Sequence, residues 1–200
     1  MPTHIRPDQV PLAVWQLAAE GPTPPEHSPR RRLAELVVQR YCDEAGVVID
    51  IAPLGGEIAR AAVDSGRAAV VLATTSASFA PCPVASLVGL AGDISLAAVL
   101  PPESALRHGR PFTPSARAVE EAAHHAAGVL RPKGSFVLGL VGSEEGEDSI
   151  GQAVEAAGSA GLSYIQHVVA LLATGLDDCA GAGARRVAHA DVLVFAKGRA

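Results

Sequence analysis

Aromatic side chains are scarce, with one Trp, two Tyr and four Phe among 200 residues. An aromatic-rich sandwich is therefore not expected. The apolar set is mostly Ala, Val and Leu, which suits close packing of helices on a sheet. Basic charge is also short, and the formal net charge is −5. A chain of that sign gains no general attraction to polyanions, which counts against nucleic-acid binding driven by charge alone. The three cysteines, Cys42, Cys82 and Cys179, form no CxxC pair. Neither a zinc knuckle nor a disulfide framework is indicated, and a reducing cytoplasm is the expected location. The opening MPTHIRPDQV has no apolar segment of a secretory signal. No apolar run approaches the ~20 residues of a membrane span, so no membrane partner is expected. No GxSxG, HExxH or Walker sequence occurs, so Ser-His-Asp chemistry has no local support.

What is present is a chain that is 48% hydrophobic and long enough for one domain with one substantial core. Residues 1–29 read as a Pro-rich lead-in, with Trp15 either anchoring it in an apolar groove or sitting in a short helix at 12–19. Residues 30–200 read as a single domain. A helix is expected at 30–43, with Ser28 as N-cap and Pro29 in its first turn. Further helices are expected at 56–65, near 83–89, at 114–130 with Thr113 as cap, and at 148–159. Strands are expected at 47–51, 68–73, 94–100, 135–141, 162–172 and 190–196, with a turn at 131–134 and a polar loop at 103–113. The alternation predicts an α/β doubly wound, mostly parallel sheet. The last two strands have no room for a helix between them and should form an antiparallel hairpin.

The stretch VVIDIAPLGGEIARAAVDSGRAAVVLA at 47–73 is a strand, a Gly turn, a helix and a second strand. Together with VWQLAAEG and HSPRRRLAELVVQRY before it, ISLAAVLPPES at 94–104, and YIQHVVALL with AHADVLVFAKG at the end, it resembles S-adenosylmethionine-dependent methyltransferases. The order of segments is similar to that in bacterial DNA amino-methyltransferases and tRNA guanosine methyltransferase-like proteins. The resemblance implies a Rossmann-like methyltransferase fold and S-adenosylmethionine as cofactor. It implies a cofactor site at Asp50, Ala52, Pro53, Gly55 and Gly56, continued by Ala73 and Thr74. It implies a catalytic loop at Leu100, Pro101, Pro102 and Glu103, and a histidine shortly before the DVLVF strand.

The departures from that family's pattern are concentrated in the same places. Gly55 and Gly56 are adjacent instead of spaced, and Glu57 replaces a small residue. Ala73 stands where an acidic residue would accept the ribose hydroxyls, a loss of ~2–3 kcal/mol, or ~30- to 150-fold in affinity. Leu100 replaces the polar residue that accepts a hydrogen bond from the target amine, and Glu103 replaces the aromatic that stacks on the base.

Several residues carry two readings. Asp50 either caps the Gly turn or contacts the cofactor. Glu103 is a solvated loop carboxylate, or else a base or cation ligand. His124 and His125 are helix residues that point ~100° apart, which a single metal would not tolerate; no metal is expected. The acidic run EEGED at 144–148 is a solvated turn or a divalent-cation loop. Arg30, Arg31 and Arg32 form the one basic cluster, a solvated helical turn or a phosphate contact. The expectation is a degenerate methyltransferase-like protein with weak or no catalysis, in which S-adenosylmethionine binding is weakened or lost. It would serve as a binding or scaffolding module, as a homodimer or beside an active paralogue. The alternative is an active amino-group methyltransferase on DNA, RNA or a small molecule.

Overall fold

The computed structural model describes residues 10–17, 28–52, 56–71, 88–108, 110–142, 148–172 and 189–198. In chain order these form β1 (Leu12–Gln16), α1 (Pro29–Tyr41), β2 (Val47–Asp50), α2 (Glu57–Asp64) and β3 (Ala68–Val71). There follow β4 (Ile94–Val99), α3 (Glu103–His108), α4 (Ala116–Val129), β5 (Leu130–Leu140), α5 (Ser149–Ser159), β6 (Leu162–Leu171) and β7 (His189–Lys197). A 3₁₀ turn at Val88–Leu90 precedes β4.

The strands form one seven-stranded sheet in the order β1-β6-β7-β5-β4-β2-β3. All neighbours are parallel except β7, which runs antiparallel to both β5 and β6. The expected closing hairpin is therefore present. The helices lie on two faces of the sheet, each with its own apolar cluster. Helices α1, α2 and α3 cover one face through Leu33, Val37, Ile58 and Leu106. Helices α4 and α5 cover the other through Val119, Ala126 and Ala157, against Phe136, Tyr164 and Phe195. The Phe136 and Phe195 rings lie 5.8 Å apart, so three of the chain's few aromatics meet under α4 and α5. Strand β4, ISLAAV, is buried along its whole length, as expected of a central strand covered on both sides.

The termini of the helices follow side-chain chemistry. The Ser28 hydroxyl accepts the Arg31 N–H at 3.1 Å and starts α1 with Pro29 in its first turn. Helix α4 begins at Ala116, capped by Ser115 instead of Thr113. Phe112 exchanges backbone hydrogen bonds with Val141 at 2.8 and 3.1 Å, so the chain stays extended past 112 and the next cap-type residue takes over. Asp148 caps α5 by accepting the Gly151 N–H at 2.8 Å.

Three elements differ from expectation. Residues 12–16 are not a helix but a strand of the sheet: β1 adds a parallel edge strand to β6, and Trp15 packs on Tyr41 with ring centroids 6.1 Å apart. The polar loop at 103–113 contains α3. The 131–134 turn is a bulge within β5: Ile94 pairs with Leu130 and Leu96 with Ser135, so four residues on β5 stand opposite Ser95.

Candidate functional site at the sheet's switch point

In the sheet order β2 and β4 are neighbours. The chain leaves β2 toward β3 and leaves β4 toward β5, in opposite directions. In open α/β sheets ligands bind where the order reverses, beyond the carboxyl ends of the strands. Asp50 ends β2 and Leu100 follows β4, so the first half of the expected cofactor turn and the expected catalytic loop meet here. Pro53, Gly55, Ala73 and Thr74 lie outside the described residues.

Asp50 is 2% exposed. One carboxylate oxygen, Oδ1, accepts the Ala52 N–H at 3.2 Å, so Asp50 does tie down the start of the turn. The other, Oδ2, is buried without a partner among the described residues. Burial pushes the Asp50 carboxyl up to about 6, opposed by the Arg30 guanidinium and the Ala52 N–H and reinforced by Glu57. Gly56 caps α2 with φ +77, and a Cβ there would meet nothing within 4 Å. Its glycine is needed for the left-handed backbone rather than for space.

Arg30 is the residue that sequence reasoning placed wrongly. It was expected in a solvated helical turn, yet it is 1% exposed. Its Nη1 donates to Glu57 Oε2 at 2.5 Å, and its backbone N–H donates to Glu103 Oε2 at 3.2 Å. Its Nε and Nη2 are buried without partners among the described residues. A signal was present: Arg30 lies three and four residues before Leu33 and Ala34, on the stripe of α1 that is buried. Arg31 is occupied elsewhere, bonding Glu35 at 2.8 Å and pairing with Asp64 on α2.

The catalytic-loop positions are also more enclosed than expected. Leu100 is fully buried among the side chains under α1 and α2. Pro101 packs on β5 so closely that a Cβ on Gly139 would lie 2.5 Å from its Cδ. Replacing Gly139 with Ala must therefore move the loop or the strand. A loss of about 1–3 kcal/mol is expected by urea unfolding, and an unchanged midpoint would show that the loop is not clamped. The Pro102 carbonyl accepts the Ala105 N–H at 3.0 Å and opens α3. Glu103 is the first residue of that helix, not a solvated loop residue, and it also pairs with Arg107.

At the same edge of the sheet, His167 Nε2 lies 2.9 Å from Asp191 Oδ1, and His189 Nε2 lies 3.6 Å from Asp191 Oδ2. His189 is the histidine implied by the resemblance; its link through Asp191 to His167 was not foreseen, because it depends on the register of β6 against β7. Elsewhere, His124 bonds the Glu120 carbonyl at 2.9 Å on the exposed side of α4, and burial lowers the pKa of His125. Among the described residues no group of three or more His, Cys, Asp or Glu could hold a metal.

No protein-family model matches the chain, and no curated protein matches it. Solved structures do. The [4+2]-cyclase SpnF is 14% identical, with a TM-score of 0.56 over 84% of this chain and 80% of that one. The Burkholderia thailandensis 1,6-didemethyltoxoflavin-N1-methyltransferase, solved with S-adenosylhomocysteine bound, is 17% identical, with a TM-score of 0.53 over 86% and 80%. A structure from echinomycin biosynthesis, where a disulfide bond becomes a thioacetal group, is 12% identical, with a TM-score of 0.53 over 82% of each chain. The chain has the Rossmann-like methyltransferase fold. At these identities the likeness is one of fold, and a fold that serves both a cyclase and a methyltransferase leaves the chemistry to the site.

Proposed function

We propose that this chain is a methyltransferase-like protein that retains part of a methyl-donor crevice without amino-group methyl transfer, and that it works as a binding or scaffolding module. The observation that carries this reading is the closure of the catalytic-loop positions. Leu100 is fully buried in the core, and Glu103 is engaged by the Arg30 N–H and by Arg107. Methyl transfer to an amine needs an acceptor that aims the nitrogen lone pair at the donor, and a side chain with no polar atom turned into the core cannot do that. The finer resemblance to DNA amino-methyltransferases and tRNA guanosine methyltransferases rests on the sequence segments alone.

The residues present do fit the amino-acid end of S-adenosylmethionine. The unpartnered Nε and Nη2 of Arg30 suit a carboxylate, and the unpartnered Asp50 Oδ2 suits an ammonium or a hydroxyl. When bound, that group would supply an electrophilic methyl. Arg30 and Asp50 would orient it, while Glu57 competes for the same guanidinium and weakens the grip. Those three free polar atoms favour the second reading, an active amino-group methyltransferase on DNA, RNA or a small molecule. A second copy of the chain or an active paralogue would complete the loop on the first reading.

Calorimetric titration with S-adenosylmethionine and with its demethylated product, followed by transfer of labelled methyl to DNA, RNA and a metabolite pool, separates the two. The expected result is weak binding of both, in about the millimolar range, and no transfer. Robust transfer to any acceptor would refute the proposal.

A further inference from the structure

At the opposite end of the strands, by the amino ends of β3, β4 and β5, a cavity of about 520 Å³ is lined by Arg40, Arg67, Arg131 and Lys133 and by Ser95 and Ser135. Its acidic lining residues are Asp43 and Glu44. A chain of net charge −5 thus gathers four cations against two anions at one place. We propose that this cavity is a binding site for a small phosphate-bearing molecule, separate from the switch-point crevice.

The cations have different duties. Arg67 is fixed in place: its Nε and Nη2 donate to the carbonyls of Cys42 and Asp43 at 3.0–3.2 Å, and its Nη1 to Ser65. It brings a rigid positive charge to the carboxyl end of α1, where carbonyls would otherwise repel an anion. Arg131 pairs with Asp43, while its Nε is buried without a partner. Arg40 and Lys133 have no hydrogen-bond or ion-pair partner among the described residues. Among the described residues Arg40, Lys133 and the Arg131 Nε are left to meet an anion in one concavity of the size that small ligands occupy.

The backbone supports the same conclusion. The bulge opposite Ser95 is what brings Arg131 and Lys133 to the cavity. Lys133 has φ +66 and is the one non-glycine residue with positive φ among those described. A lysine in that conformation is disfavoured where glycine would be free of strain, so the ammonium is kept at a local cost. Ser95 and Ser135, 4% and 9% exposed, also line the cavity. Hydroxyls that line a cavity beside cations are groups that can donate to phosphate oxygens. The cations gather in a concavity of about 520 Å³, which favours a small ligand over a polynucleotide.

The test uses inorganic pyrophosphate on the full chain, at constant ionic strength set with chloride. Binding is expected in the wild type, and a weakening of at least about tenfold in Lys133→Gly/Arg40→Gln. Lys133→Gly relieves the positive φ and Arg40 has no partner to lose among the described residues, so the thermal midpoint of the double variant should not fall. No pyrophosphate binding at millimolar concentration, or equal binding in the double variant, would overturn the proposal. So would tighter binding of single-stranded RNA that the same two substitutions abolish, since the cavity would then belong to a nucleic-acid surface.

Discussion

Replacing Arg30 with methionine is expected to cost the fold about 3–5 kcal/mol at pH 8, the range for removing one partner of a buried charge pair. Methionine keeps the apolar stem of the side chain and removes the guanidinium alone. Asp50, 2% exposed, and Glu57, whose side chain is 24% exposed, would then face each other with no cation between them. In a domain of this size such a loss lowers the thermal midpoint by about 6–20 °C, at ~2–4 °C for each kcal/mol. Two further results make the assignment specific. Adding Glu57→Gln should recover part of the loss, and the coupling between the two substitutions should be about 0.5–3 kcal/mol. The cost should also be smaller at pH 5, where the Asp50 carboxyl, held at about 6, is mostly protonated. A loss under about 1 kcal/mol at pH 8 would mean that water reaches these carboxylates and that Arg30 is not their counter-charge.

Arg30 also marks the limit of what the sequence carried. The sheet was legible because its central strands are mostly apolar. VVID and ISLAAV read as covered strands once Gly46 and Gly55–Gly56 bracket the first, and Gly92 and Pro101–Pro102 the second. The short loop before DVLVFAK dictated an antiparallel partner, and β7 is that partner. Strand β1 was not legible, since LAVWQ alternates over only five residues and depends on β6 for its hydrogen bonds. Helix α3 has six residues, too few to show a period, although Glu103 at its start and Arg107 and His108 at its end suit its dipole. The site was half legible. The positions of Asp50, Ala52, Gly56 and Leu100–Glu103 followed from motif order. What fills the space between them did not, because composition rules place arginine on the surface. Only packing reveals that the first turn of α1 answers two carboxylates, Asp50 and Glu57, with one guanidinium and a third, Glu103, with a backbone N–H.

Asp50→Asn is expected to stabilise the protein at pH 8 while weakening its hold on a cationic ligand group. The sign follows from the raised carboxyl. In the unfolded chain the side chain releases its proton near pH 3.9, whereas in the folded chain it does so at about 6. Below pH 4 both states are protonated and Asp50 adds no pH dependence. Between about 4 and 6 the unfolded state binds fewer protons, so stability falls as pH rises, by on the order of 3 kcal/mol in total. Above 6 both states are ionised and the penalty stays constant. Asparagine keeps an oxygen for the Ala52 N–H and removes the charge, so the variant should show no such fall from pH 4 to 6. Its gain at pH 8 should approach 3 kcal/mol and vanish at pH 4, as read by urea unfolding at pH 4, 6 and 8. Arg30 would still have Glu57, so no cation is orphaned. A buried carboxylate that destabilises the fold at neutral pH, with one oxygen unpartnered, is the signature of a group kept for a ligand rather than for structure. If the variant is no more stable than the parent at pH 8, Asp50 is solvated or fully compensated, and the argument that the crevice still takes the ammonium or hydroxyl of a donor loses its main support.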